Sequence, residues 1–308
     1  MENVKPIRIK TITEFHRSRN LPPPEHPLIS VVDHSAIQHS FDVKYRNEIF
    51  DFYSVSIKRG VEGKIAYGQQ EYDFDEGVMY FIAPNQTFRL ELNRDMVQRP
   101  TGWALLVHPD FFWNTSLAKN IKQYEFFGYS VNEALFLSDK EERTINGIIH
   151  NIRQEYHSNI DDFSQSIIIS HLETLFNYAE RFYHRQFITR KKTNHKLLEH
   201  LEHLLADYFE SDNLASQGCP SVQYIAEKLH VSPNYLSSLL KLLTGQSTQQ
   251  HIQNKLIEKA KEKLSTSDLS ISEIAYELGF EHPQSFTKLF KSKTKVSPSA
   301  FRASFNAD

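Results

Sequence analysis

Apolar residues at helical spacing occur twice near the C-terminus, as Val222, Ile225, Ala226 and Leu229, and again as Ile271, Ile274, Ala275 and Leu278. Each set gives a short helix one buried face. A second apolar stripe follows each set: Leu236, Leu239, Leu240 and Leu243 in the first copy, Phe286, Leu289 and Phe290 in the second. Residues 222–231 align with 271–280 at an offset of 49, and residues 232–247 with 282–297 at an offset of 50, so Glu281 is a one-residue insertion. In each following helix the polar positions lie two residues from the apolar stripe, roughly 200° around the axis. Asn234, Ser237, Ser238 and Lys241 therefore point outward in the first copy, and Gln284, Thr287, Lys288 and Lys291 in the second.

Two short helices joined by a tight turn can set the second helix into the major groove of DNA. Asn and Gln pair bidentately with adenine, Lys reaches guanine or phosphate, and hydroxyls read either. The candidate DNA-contacting set is Asn234, Tyr235, Ser237, Ser238 and Lys241 with Gln284, Ser285, Thr287, Lys288 and Lys291. Ser232 followed by Pro233 predicts an N-cap with proline at the first helical position, and Ser270 with Glu273 predicts a capping box. His282 is a poorer cap than Ser or Asp. Between the copies, residues 248–264 hold strong helix formers and no Gly or Pro, which predicts one connecting helix. Held this way, one chain would occupy two successive major-groove segments about 34 Å apart on an asymmetric site.

Upstream, residues 30–110 show strand-like alternation. Phe88, Leu90 and Leu92 alternate with Arg89 and Glu91, and the run "VMYFIAP" is bounded by turn-forming residues. Short strands at this spacing predict an antiparallel barrel or sandwich. Two helical patterns follow, near residues 139–157 and 161–187. In the second, Ile168, Leu172, Leu175, Ala179 and Phe182 form a heptad-like seam that would pair with a second subunit or pack on the barrel. Residues 185–196, "RQFITRKKTNHK", read as a linker with solvated charges.

The segments "IAEKLHVSPNYLSSLLKLLTG" and "ISEIAYELGFEHPQSFTKLFKSKTKVSPSAFR" resemble the signature of the AraC/XylS-type bacterial transcription regulators, over residues 194–308. Asn234, Ser238, Gln284 and Lys288 fall where such proteins touch bases. "YDFDEGVMYFIAPNQTFRL" and "GWALLVHPDFF" resemble the cupin-like sensor half of the same family. Two departures stand out: Lys295 and His230 occupy positions where relatives often have glycine, and where a positive φ is often needed. The resemblance implies an α+β chain in three parts: a cupin-like antiparallel β-barrel (1–138), a helical dimerisation and linker segment (139–190) and an all-α domain with two helix-turn-helix motifs (191–308). It implies double-stranded promoter DNA and RNA polymerase as partners, a homodimer, and a small effector in the barrel. Tyr53, Tyr67, Tyr80, Phe81 and Trp103 are the candidate effector-lining aromatics, although strand aromatics also serve as plain core. Activation is the family's habit, yet repression would need no different residues.

Composition adds bounds. The 308 residues are 40% hydrophobic, enough for two cores, with a net charge of −3. Residues 221–308 carry 11 Lys or Arg against 8 Asp or Glu, whereas residues 1–220 carry 24 against 30. Lys288, Lys291, Lys293, Lys295 and Arg302 face a single acid between residues 281 and 302, a candidate phosphate-contacting edge. An acidic chain does not coat DNA unspecifically. One cysteine, no apolar signal core and no apolar run of about 20 residues place the chain in the cytoplasm. No enzyme is expected, and no cofactor or metal. Residues 60–92 lack the histidines of a cupin metal site, and neither a Gly-rich phosphate loop nor a nucleophile signature occurs. His34, His39, His200 and His203 read as surface residues. The alternative is a metal-free cupin ligand-binding protein or a protein-interaction scaffold with a degenerate helical domain.

Overall fold

A computed structural model describes residues 6–37, 45–59, 77–91, 101–129, 133–157, 161, 163–189, 191–211 and 213–304. The chain divides into two compact units, Met1–Thr189 and Arg190–Asp308. No helix among the described residues is long and apolar enough to cross a membrane.

Unit 1 is mixed α and β. Strands β1 (Ile7–Ile9), β3 (Tyr45–Phe50) and β6 (Thr87–Glu91) form one sheet in the order β1-β3-β6. Strands β2 (Ile29–Asp33), β4 (Tyr53–Arg59), β5 (Val78–Ile82), β7 (Thr101–Val107) and β8 (Leu135–Phe136) form a second in the order β2-β7-β4-β5-β8. All pairings are antiparallel except β1 with β3. Among the described residues the strands thus make two sheets that share a core, the sandwich of the two expected arrangements, and no closed cupin-like barrel.

The face of the larger sheet carrying Ile82, Ala104, Leu106 and Val32 shares a core with Phe50 and Phe88 of the smaller sheet and with Ile12 and Phe15 of α1 (Ile12–Ser18). That interior also holds charge. Arg19, 2% exposed, pairs with Glu48, 0% exposed, at 2.6 Å. Beside them Lys58 is pulled down to about 8 by burial and by the Arg19 charge, against the opposing pull of Glu48. His34 is buried in a single turn of 3-10 helix, which corrects its reading as a surface residue. His39 lies outside the described residues.

The other face of the larger sheet is covered by α3 (Asp139–His157), α4 (Ser164–Thr189) and the turns of residues 109–128, with α2 (Ser116–Asn120) among those turns. Tyr156 of α3 accepts a hydrogen bond from the Val31 backbone N–H at 3.0 Å, and Gln186 of α4 accepts from Phe136 N–H while donating to Ala134 O. Every residue of the heptad-like seam is buried within the unit, where Phe176 and Tyr183 pack on Phe126 and Phe127. The seam therefore serves packing inside its own unit.

The described part of residues 185–196, read as a linker, is helical. Arg185–Thr189 continue α4, and α5 (Lys191–Glu210) begins two residues later. No Gly or Pro interrupts the run, and Gln186 and Phe187 are buried. Arg185, expected to be solvated, grips Glu141 through two bonds of 3.0 and 2.7 Å.

Unit 2 is all helical: α5, α6 (Asn213–Gln217), α7 (Val222–Lys228), α8 (Pro233–Thr244), α9 (Thr248–Thr266), α10 (Ile271–Glu277), α11 (Pro283–Thr294) and α12 (Pro298–Ala303). One core joins Leu201 and Leu205 of α5 to Ile225, Leu236 and Leu240 of the first copy, Ile252, Leu256 and Ala260 of α9, and Ile274, Phe286 and Phe290 of the second copy.

Candidate nucleic-acid interface

The two copies repeat their backbone chemistry at the offsets seen in the sequence. Val231 N–H donates to Ala226 O at 3.0 Å, and Phe280 N–H to Ala275 O at 2.9 Å. Both bonds close the turn after the first helix, and in both copies the turn residue is left-handed: His230 at φ 57° and Gly279 at φ 77°. After the second helix, Gly245 at φ 73° donates to Lys241 O, and Lys295 at φ 67° donates to Lys291 O. His230 and Lys295 thus adopt the glycine-favoured conformation anticipated for them. His230 is exposed, so His230→Gly is expected to raise the stability of this unit by up to about 1 kcal/mol. A denaturant midpoint that stayed the same or fell, at constant m-value, would contradict this.

Caps define the helix starts. Ser221, Ser232 and Ser297 each accept from a backbone N–H three residues on, and Ser247 with Gln250 and Ser270 with Glu273 form complete capping boxes. Those bonds from Ser270 hold the Glu273 carboxyl below its ordinary value. His282 caps nothing with its side chain, as its type suggested.

The candidate contact residues divide by exposure. Asn234 and Lys241 of α8 and Gln284, Ser285, Lys288 and Lys291 of α11 are exposed, whereas Tyr235, Ser237, Ser238 and Thr287 are half-buried. Ser237 Oγ is hydrogen-bonded to Thr248 Oγ1 at 3.1 Å, tying α8 to the start of α9, and Ser238 Oγ donates back to Asn234 O at 2.9 Å. The basic edge is narrower than five side chains. Lys293 Nζ donates to Asn254 Oδ1 at 3.5 Å, and Arg302 Nε to Leu264 O at 3.2 Å, so these two are turned to the fold. Lys288, Lys291 and Lys295 remain exposed. The ties through Thr248, Asn254 and Leu264 were not visible in the sequence, because nothing local marks a polar side chain as bonded across helices.

The candidate effector aromatics do not gather in one place. Tyr53 packs on Phe112 and Phe127, Phe81 on Phe126 and Tyr183, and Trp103 Nε1 donates to Asn146 of α3 at 2.8 Å. All three join the sheet to its covering helices and do not line its interior. Tyr80 lies on the opposite face, the one shared with Ile82. Tyr67 lies outside the described residues. Among the described residues no group of three or more His, Cys, Asp or Glu side chains is arranged to hold a metal ion.

Residues 225–304 match the family model described as "Helix-turn-helix domain". The chain is 33% identical over 145 residues to the uncharacterised HTH-type transcriptional regulator YfiF of Bacillus subtilis, covering 47% of this chain and 42% of that protein. It is 35% identical over 102 residues to the uncharacterised transcriptional regulatory protein YesN of the same organism, covering 32% and 26%. Among solved structures, the C-terminal domain of a two-component response regulator from Fusobacterium nucleatum is 31% identical, with a TM-score of 0.29, covering 33% of this chain and 96% of that one. The matches thus span less than half the length of these two curated relatives. The C-terminal unit, where the duplicated turns and the family match coincide, thus carries a helix-turn-helix domain similar to that of HTH-type transcriptional regulators.

Proposed function

We propose that the chain is a sequence-specific transcription regulator that reads an asymmetric promoter site with α8 and α11. One observation carries this reading: two helix-turn-helix units with the same turn bonds, whose second helices expose Asn234 and Lys241 in one copy and Gln284, Ser285, Lys288 and Lys291 in the other. An amide and an ammonium on one helix face, about two turns apart in α8 (Asn234, Lys241) and one turn apart in α11 (Gln284, Lys288), suit base edges and phosphates. Ser237 and Ser238 already spend hydrogen-bonding capacity on Thr248 and Asn234, so α8 offers fewer free groups and α11 supplies more of the sequence preference. Unit 1 would set activity through a small effector. Of the five aromatics, Tyr80 has the position that suits an interior ligand. Pairing of two copies, contact with RNA polymerase and activation as the output rest on the family resemblance alone.

The test is selection of random duplexes on the full chain, followed by affinity against salt for the selected site. Gln284→Ala and Lys288→Ala should each weaken specific binding by about 1–3 kcal/mol, and Lys288→Ala should also flatten the salt slope if it contacts phosphate. No enriched sequence, or unchanged affinity in both variants, would remove the reading and favour a protein-interaction scaffold.

A further inference from the structure

The polar ties between α9 and its two helix-turn-helix units fall mostly at opposite ends of the helix. Copy one is tied to its start: Ser237 Oγ meets Thr248 Oγ1 at 3.1 Å, and Thr244 Oγ1, whose proton goes to Leu240 O, meets His251 Nε2 at 2.9 Å. Copy two is tied to its end: Lys263 Nζ pairs with Glu277 at 2.6 Å, and Arg302 donates to Leu264 O. Asn254 departs from this division. Its Nδ2 donates to Gln246 Oε1 at 2.9 Å, in the turn that closes α8, while its Oδ1 accepts from Lys293 Nζ, near the end of α11. One half-buried amide is thus bonded both to the segment behind the first outward helix and to the second outward helix itself.

We infer that Asn254 is a positioning residue that sets the separation and phase of α8 and α11, and hence the half-site spacing the protein accepts. The inference rests on the DNA-reading function proposed above. Apolar packing holds both copies on α9, but dispersion contacts are non-directional and tolerate small slides and rotations. Hydrogen bonds have direction, and a two-armed one fixes both neighbours against the same point. Over a helix of 19 residues, about 28 Å long, a small rotation of one copy moves its outward stripe by a distance comparable to one base-pair step. Lys293 accordingly works as a strut, which explains why it turns away from the exposed Lys288 and Lys291.

Two substitutions separate this role from a general contribution to folding. Asn254→Leu keeps the size, removes both arms and improves helix propensity, so the melting temperature should hold or rise. Asn254→Asp keeps both arms, because the Gln246 amide can turn over and donate to the carboxylate while Lys293 still donates to it. The experiment uses the full chain and a duplex panel in which the selected half-sites are moved apart or together by one base pair. Asn254→Leu should reduce the penalty for displaced half-sites by about tenfold, while Asn254→Asp retains the parent profile. In parallel, spin labels at the exposed Leu243 and Ser292, in a Cys219→Ser background, report the distance between the two outward helices without DNA. The distribution should broaden in Asn254→Leu and stay narrow in Asn254→Asp. An unchanged distance distribution in Asn254→Leu overturns the inference whether or not any duplex binds. Broadening with an unchanged spacing profile overturns its link to spacing. Failure of every form to bind any duplex instead overturns the proposed function, with the label distances still deciding the role of Asn254.

Discussion

Gly279→Ala is expected to destabilise unit 2 by about 3 kcal/mol, far more than the same change at Gly245. Both glycines are left-handed, at φ 77° and 73°, so both substitutions meet the backbone cost of roughly 1–2 kcal/mol. They differ in surroundings. A Cβ at Gly245 meets nothing within 4 Å. A Cβ at Gly279 would lie 2.5 Å from Gly218 Cα and 2.6 Å from Leu214 O. Those atoms are backbone, held in place by the Gly218 N–H bond to Leu214 O at 3.0 Å and the Tyr208 hydroxyl bond to Gly218 O at 2.8 Å. Overpacking against a fixed backbone adds about 1–3 kcal/mol. Denaturant unfolding of the two variants side by side is the check, and equal midpoints would refute the close contact. The comparison also explains why the first copy tolerates His230 where the second needs glycine: the second turn alone lies against the end of α6.

Phe286→Ala should cost about 3–5 kcal/mol, comparable to much of the stability of a small unit. Its ring is 0% exposed and touches those of Phe280 and Phe290 at centroid distances of 5.5 and 5.8 Å, and Phe290 in turn meets Phe301 edge-on at 5.5 Å. Truncation removes the central ring of a chain linking the second turn to α12, and the surrounding backbone is too constrained by its caps to collapse into the gap. Two residues further along α11, Lys288→Ala should change stability by less than about 0.5 kcal/mol, because its side chain is exposed. Calorimetry of this pair separates folding from reading. If Phe286→Ala melted with the parent, the described core of the second copy would be wrong. If Lys288→Ala melted early, its loss of DNA affinity would no longer report on contact.

What the sequence made legible was local. Caps such as Ser270 with Glu273 act within four residues, and the left-handed turns at His230 and Lys295 could be inferred by comparing one copy with the other. The helices of residues 139–157 and 248–264 emerged nearly at their observed limits for the same reason. Facing was harder. All five residues of β5 are buried, so a period of two identifies two faces without saying which meets a sheet and which meets helices. A set of aromatics chosen by residue type therefore divides between the two faces of the sheet, with Tyr53, Phe81 and Trp103 on one and Tyr80 on the other. Sheet closure depends on pairings between distant strands, which no local pattern specifies. In the outward helices, Asn234, Lys241, Gln284, Ser285, Lys288 and Lys291 are exposed while Tyr235, Ser237, Ser238 and Thr287 are half-buried, and residue type could not reveal that Ser237, Lys293 and Arg302 have partners elsewhere in the fold.

The pairing of β2 with β7, Ile29 against Val107, has a kinetic consequence. Nearly eighty residues must be looped before that register can form, and β1 must join β3 in parallel across some forty more. Closing such loops costs chain entropy before any contact returns it, which slows folding. Unit 2 is assembled from helices whose caps and turns join residues only a few positions apart. Synthesis delivers the sheet-rich unit first, yet the helical one needs less time once it emerges. A newly made chain can therefore acquire its two helix-turn-helix units while the sheets are still finding their register.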